Sequence, residues 1–81
     1  MQKHYVYILE CGDGTYYTGY TNQLIKRYIM HCEGKGAKYT KGRGPLKFVY
    51  CEMYDTKSQA MKREYQIKQL SRKEKERLIE A

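Results

Sequence analysis

Tryptophan is absent from this 81-residue sequence, phenylalanine and proline occur once each, and cysteine occurs three times. Without Trp and with one Phe, the core must be built from Tyr, Ile, Leu, Val and Met. The ten tyrosines bring hydroxyls that need partners when buried, so some are expected to face a polar cleft. No apolar run approaches the roughly 18–20 residues needed to span a bilayer. Met1–Lys3 leads straight into strand-like sequence, with no leader pattern. Cys11, Cys32 and Cys51 are odd in number and far apart, which fits free thiols and a cytoplasmic setting. A chain this short is expected to form one domain, residues 1–81.

Acid is also scarce. Nine Asp and Glu stand against 16 Lys and Arg, for a formal charge of +7. That balance favours polyanions: DNA, RNA or an anionic membrane face.

His4 to Cys11 (HYVYILEC) is β-branched, aromatic or aliphatic, as expected of a strand covered on both faces. Gly12-Asp13-Gly14 links it to a second strand, Thr15 to Tyr20, as a hairpin. A two-residue turn would send Tyr7 and Tyr17 to opposite faces. A three-residue loop with Gly14 left-handed sets Cys11 against Thr15 and puts both tyrosines on one face, and this is the expected register. A helix capped by Thr21 or Asn22 is expected to run to Cys32, with Leu24, Ile25, Tyr28, Ile29 and Cys32 as its buried stripe. Gly34 to Gly44 reads as a flexible cationic loop. Pro45 opens a third strand, Leu46 to Tyr54. Thr56-x-x-Gln59 and Ser71-x-x-Glu74 resemble capping boxes for a helix over about Lys57 to Leu70 and a short terminal helix. The expected class is α+β: a three-stranded, mainly antiparallel sheet flanked by helices, in the order β-β-α-β-α-α.

Some residues invite chemistry. Glu64 falls within the stripe marked by Ala60, Met61, Ile67 and Leu70; it either reaches solvent and pairs with Arg63 or Lys68, or faces the interior for a reason. Arg27 and His31, four apart on one helix edge, are either a solvated face or an anion clamp with a proton-moving imidazole. The hairpin tyrosines are either cross-strand packing or phosphate and water ligands. Lys35, Lys38, Lys41, Arg43 and Lys47, with Tyr39 interleaved and no acid among them, favour phosphate-backbone contact.

Taken in order, these positions resemble the GIY-YIG nuclease superfamily, and in particular its small stand-alone bacterial members. Tyr5-Val6-Tyr7 stands for the first motif and Tyr17-Thr18-Gly19 for the second. Thr21 to Arg27 followed by His31 resembles the helix signature, and Glu64 lies where the family places its metal-binding carboxylate. The resemblance implies a metal-dependent endonuclease that hydrolyses phosphodiester bonds of nucleic acid, DNA foremost, as in repair or recombination. In that reading Glu64 holds Mg²⁺ or Mn²⁺, and Tyr7 acts as base or water-orienting phenol with help from His31. Arg27 stabilises phosphate charge, Tyr17 positions phosphate or water, and Gly19 keeps a strand end bare. A phenol near its ordinary pKa is a poor base at pH 7, so Arg27 and the metal are expected to lower that of Tyr7. The sequence departs from the family in one respect: its only asparagine is Asn22, so none follows Glu64. As a stand-alone member it would lack the extra DNA-binding domain of larger relatives, so in the nuclease reading a protein partner would supply target specificity. The alternatives are a non-catalytic nucleic-acid-binding module and a small protein-interaction domain.

Overall fold

The computed structural model describes residues 2–36 and 40–81. Three strands, β1 (His4–Glu10), β2 (Tyr16–Thr21) and β3 (Lys47–Tyr54), form one antiparallel sheet in the order β2-β1-β3. Three helices complete the α+β order: α1 (Leu24–Cys32), α2 (Lys57–Lys68) and α3 (Arg72–Glu80). β1 is central, and Val6, Tyr7, Ile8 and Leu9 are all buried, which accounts for its continuous apolar run. Alternation divides its side chains between two cores. Val6 and Ile8 join Ala60 and Ile67 of α2, with Leu78 and Ile79 of α3 packed against them. Tyr7 and Leu9 join Cys11 and Leu46 on the other face, with Leu24 and Tyr28 of α1 packed there.

The hairpin adopts the expected register. Cys11 N–H donates to Thr15 O at 2.8 Å and Gly14 N–H to Cys11 O at 2.9 Å. Gly14 has φ +85°, a region that residues with a Cβ rarely enter. Leu9 therefore pairs with Tyr17 and Tyr7 with Gly19, so both tyrosines share the α1 face. β3 carries a register shift opposite Ile8/Leu9, pairing Ile8 with Tyr50 but Leu9 with Phe48. The shift turns Phe48 toward Tyr7 and Tyr28, with ring centroids 5.3 and 4.7 Å away.

The helix ends correct some expectations. Gln23, rather than Thr21 or Asn22, is the N-cap of α1 and makes no side-chain cap bond; Thr21 Oγ1 instead accepts from Gln23 N–H at 3.0 Å. Thr56 caps α2 through Gln59 N–H, whereas Ser71 and Glu74 form the complete reciprocal box at α3. The buried stripe of α1 is also not the expected one. Ile25 and Ile29 are 70% and 50% exposed and Cys32 is exposed, while His31 is buried. The inward face is Leu24, Arg27, Tyr28 and His31, because polar groups that find hydrogen-bond partners tolerate burial. α1 ends at Cys32, and just beyond it Gly34 N–H bonds to His31 O and Lys35 N–H to Met30 O, the Schellman pattern.

Glu52 organises the α2 side of the sheet. Its carboxylate accepts from Arg63 Nε at 2.9 Å and Nη2 at 3.1 Å, and from the hydroxyls of Tyr50 and Tyr54. Burial raises its pKa, but Arg63 and the two phenols outweigh that and hold it below the usual carboxylate range. Tyr50, buried and bonded to Glu52, is pushed up to about 12. The Glu52 and Arg63 side chains are 16% and 31% exposed, so Glu52→Ala should cost about 2 kcal/mol, below the range for fully buried pairs. Since the folded-state pKa of Glu52 is depressed, its contribution is present above the ordinary carboxylate pKa and lost as pH falls through the lower folded value. Urea midpoints against pH should therefore drop on the acid side for the parent and flatten for Glu52→Gln.

Candidate active site

On the α1 face, Tyr7 is buried between β2, α1 and β3. Its Oη lies 2.9 Å from His31 Nε2, and His31 Nδ1 lies 3.0 Å from Thr40 Oγ1. Tyr17 completes the group, its ring centroid 6.5 Å from that of Tyr7 and 5.6 Å from that of His31. A Cβ on Gly19 would sit 2.5 Å from Tyr7 Oη and 3.0 Å from Tyr17 Cε2, so only a residue without a side chain leaves both rings where they are. Gly36 is backed against the His31 ring in the same way.

Protonation follows from these surroundings. Burial raises the Tyr7 phenol; a hydrogen bond from Arg27 works in the opposite direction, and the Tyr17 and Glu64 charges add to the rise. Of the two cations expected to bring Tyr7 down, Arg27 acts in that direction, but burial outweighs it and the phenol stays protonated at neutral pH. His31 is held below its ordinary pKa, first by burial and then by the Arg27 charge. Tyr7 O–H thus donates to the neutral His31 Nε2, and His31 Nδ1–H donates to Thr40 Oγ1, with the Arg27 charge close to both rings. Arg27 Nε is buried with no partner among the described residues, as is Thr18 Oγ1.

Glu64 comes from α2, in the opposite layer. Its side chain is 14% exposed and its carboxylate meets Lys68 Nζ at 3.3 Å, while Arg63 bonds to Glu52 instead. Its charge is nevertheless among those felt by the Tyr7 phenol. Tyr7, Tyr17 and His31 are therefore in direct contact, with Arg27 and Glu64 linked to them through their charges. Among the described residues no three His, Cys, Asp or Glu side chains cluster as a metal cage.

The basic loop is less loose than expected. Thr40 is buried and tied to His31, Gly12 N–H donates to Arg43 O, and the Arg43 guanidinium pairs with Asp13. Lys35, Lys41 and Lys47 are exposed; Lys38 and Tyr39 lie outside the described residues. Thr40 was not legible as a site residue, since one threonine in a glycine-rich stretch carries no pattern. No helix among the described residues is long and apolar enough to cross a membrane, and all three cysteines are free.

A buried phenol, a half-buried one, an imidazole and an arginine thus gather on one face of a small antiparallel sheet, with a carboxylate on the later helix. The family model described as the GIY-YIG catalytic domain matches residues 3–77, and the chain belongs to that family, part of a nuclease superfamily. Among its relatives, the UPF0213 protein of Staphylococcus saprophyticus is 58% identical over 79 residues, covering 98% of this chain and 96% of that protein. The UPF0213 protein of Halobacterium salinarum is 57% identical over 76 residues, covering 94% and 99%. Two solution NMR structures are similar. The Bacillus halodurans UPF0213 protein BH0048 is 52% identical with a TM-score of 0.64, covering 96% of this chain and 83% of that one. The E. faecalis protein EF2693 is 39% identical with a TM-score of 0.68, covering 99% and 85%.

Proposed function

We propose that this chain is a divalent-metal-dependent endonuclease that hydrolyses nucleic-acid phosphodiesters, DNA foremost, in repair or recombination. The observation that carries the reading is the hydrogen-bonded run Tyr7–His31–Thr40 beside Tyr17, with the Arg27 charge close by and the protonation held by burial.

Tyr7 Oη can take a proton from an attacking water only as it releases its own to His31 Nε2. The imidazolium that forms keeps its second N–H on Thr40. Burial opposes that charge, and the arriving phosphate offsets the opposition. Tyr7 is thus a relay and water-orienting phenol, with His31 as the proton's destination. Arg27 meets the charge growing on the phosphate oxygens, and Tyr17 fixes the water or phosphate beside Tyr7. Gly19 leaves room for these rings.

One carboxylate suits Mg²⁺ or Mn²⁺, since such an ion keeps several waters and completes its shell with substrate phosphate. Glu64 would hold it, and when bound it supplies Lewis-acid polarisation of the phosphate and eases departure of the 3′ oxygen. The exposed Lys35, Lys41 and Lys47 add backbone contacts on the same reading, and a protein partner would supply target choice.

With Mg²⁺ or Mn²⁺ the purified chain is expected to cleave nicked or branched duplex DNA, and EDTA should stop it. Salt-dependent binding without any cleavage would replace this reading with the non-catalytic binding module, which the missing asparagine after Glu64 favours. Binding indifferent to salt would leave the protein-interaction reading.

A further inference from the structure

Most of the positive charge lies outside the glycine-rich loop. Residues 57–81 contain eight Lys and Arg against four Glu, a net +4 of the chain's +7. Part of that charge converges where α3 meets the hairpin. Thr15, Tyr16, Arg72 and Lys75 line a recess of about 160 Å³, large enough for a tetrahedral anion.

Arg72 is held in place before any ligand arrives. Its guanidinium lies 4.6 Å from the Tyr16 ring centroid, donates to Gly14 O and meets Glu76 at 3.6 Å. A cation already immobilised loses little side-chain entropy on binding. Lys75 differs: it is partly buried, makes no ion pair among the described residues, and is close enough to Lys68 to feel its charge. Lys68 in turn holds Glu64 at 3.3 Å. Three cations from α2 and α3 thus lead from the Glu64 carboxylate to the hairpin. The acids near the recess are all engaged or across the sheet. Glu76 meets Arg72, Asp13 accepts from Thr15 and pairs with Arg43, Glu74 accepts from Ser71 N–H, and Glu10 pairs across the sheet with Tyr16 and Lys47.

A positioned guanidinium and a partly buried ammonium beside an aromatic ring fit an oxyanion. The spread of charge toward Glu64 fits a polyanion rather than an isolated ion.

We infer that the Thr15–Tyr16–Arg72–Lys75 recess is a second backbone-phosphate site for the nucleic acid, with Lys68 between it and Glu64. The inference rests on the nucleic-acid reading above and extends it by giving the strand a path along α2 and α3.

The test is fluorescence anisotropy of a nicked DNA duplex over a KCl series, without divalent ion, for the parent, Lys75→Ala, Lys75→Glu and Lys73→Ala. Lys73 is exposed on the same helix and does not line the recess, so it controls for general charge. Lys75→Ala should weaken binding about fivefold and lower the log–log salt slope by about 1. Lys75→Glu should weaken it further, and Lys73→Ala should do much less. Circular dichroism melts matching the parent's exclude misfolding as the cause. Equal effects at Lys73 and Lys75 would overturn the recess as a site while leaving the nuclease reading intact. Failure of the parent to bind DNA would remove both. Lys75-dependent binding of polyglutamate without DNA binding would assign the surface to an acidic protein and overturn the inference.

Discussion

Glu64→Ala is expected to reduce metal-supported cleavage by at least about a thousandfold while leaving the protein folded. The size follows from the several kcal/mol of transition-state charge that a metal on this carboxylate neutralises, at 1.36 kcal/mol per tenfold. The structural loss is small, because among the described residues Glu64 pairs with Lys68, an i,i+4 contact worth about 0.3–0.5 kcal/mol. Glu64→Gln should behave alike, since the amide keeps the shape without the charge. DNA affinity measured in EDTA should hold or rise, as a negative charge leaves a basic surface. Cleavage rates with Mg²⁺, together with melting curves, decide the matter. A folded Glu64→Ala protein that still cuts in a metal-dependent way would remove Glu64 from the reaction.

Arg27→Ala is expected to slow cleavage by about 10²–10³, the loss found when one preorganised donor to a developing oxyanion is removed. Arg27→Lys should recover only part, because a point charge cannot reproduce a planar fork. A second readout separates this role from mere packing. Arg27 lowers the pKa of both His31 and Tyr7. Its removal should therefore move the NMR-monitored titration of His31 up toward the ordinary imidazole value, and push Tyr7 further above the ordinary phenol value. A His31 titration unmoved in Arg27→Ala would mean that the guanidinium is not beside the imidazole, and the proton relay would lose its support.

Much of this arrangement was legible in residue order. The run HYVYILEC identified the central strand because burial on both faces erases alternation. Gly-Asp-Gly fixed the hairpin register, and with it the shared face of Tyr7 and Tyr17, because Gly14 alone there can take a left-handed turn without strain. α1 was harder. Leu24 and Tyr28 on one edge and Ile25 and Ile29 on the next give two apolar stripes, and periodicity cannot say which is inside. The choice is made by His31, whose two ring nitrogens both find partners and so accept burial. Phe48 reaches Tyr7 only through the register shift in β3, which no local motif announces. Thr40 is tied to His31 by a tertiary contact across the loop, and the cations of α2 and α3 become a group only when the two helices are folded against the sheet.

The division of the sheet into two cores has a consequence for biosynthesis. Both phenols, the arginine and the imidazole belong to the first 31 residues and gather on one side of β1, whereas the carboxylate sits on the opposite layer near the C-terminal end. A nascent chain that has released only the hairpin and first helix already carries Tyr7, Tyr17, Arg27 and His31 but not Glu64, so the five residues come together only once α2 has packed against the sheet.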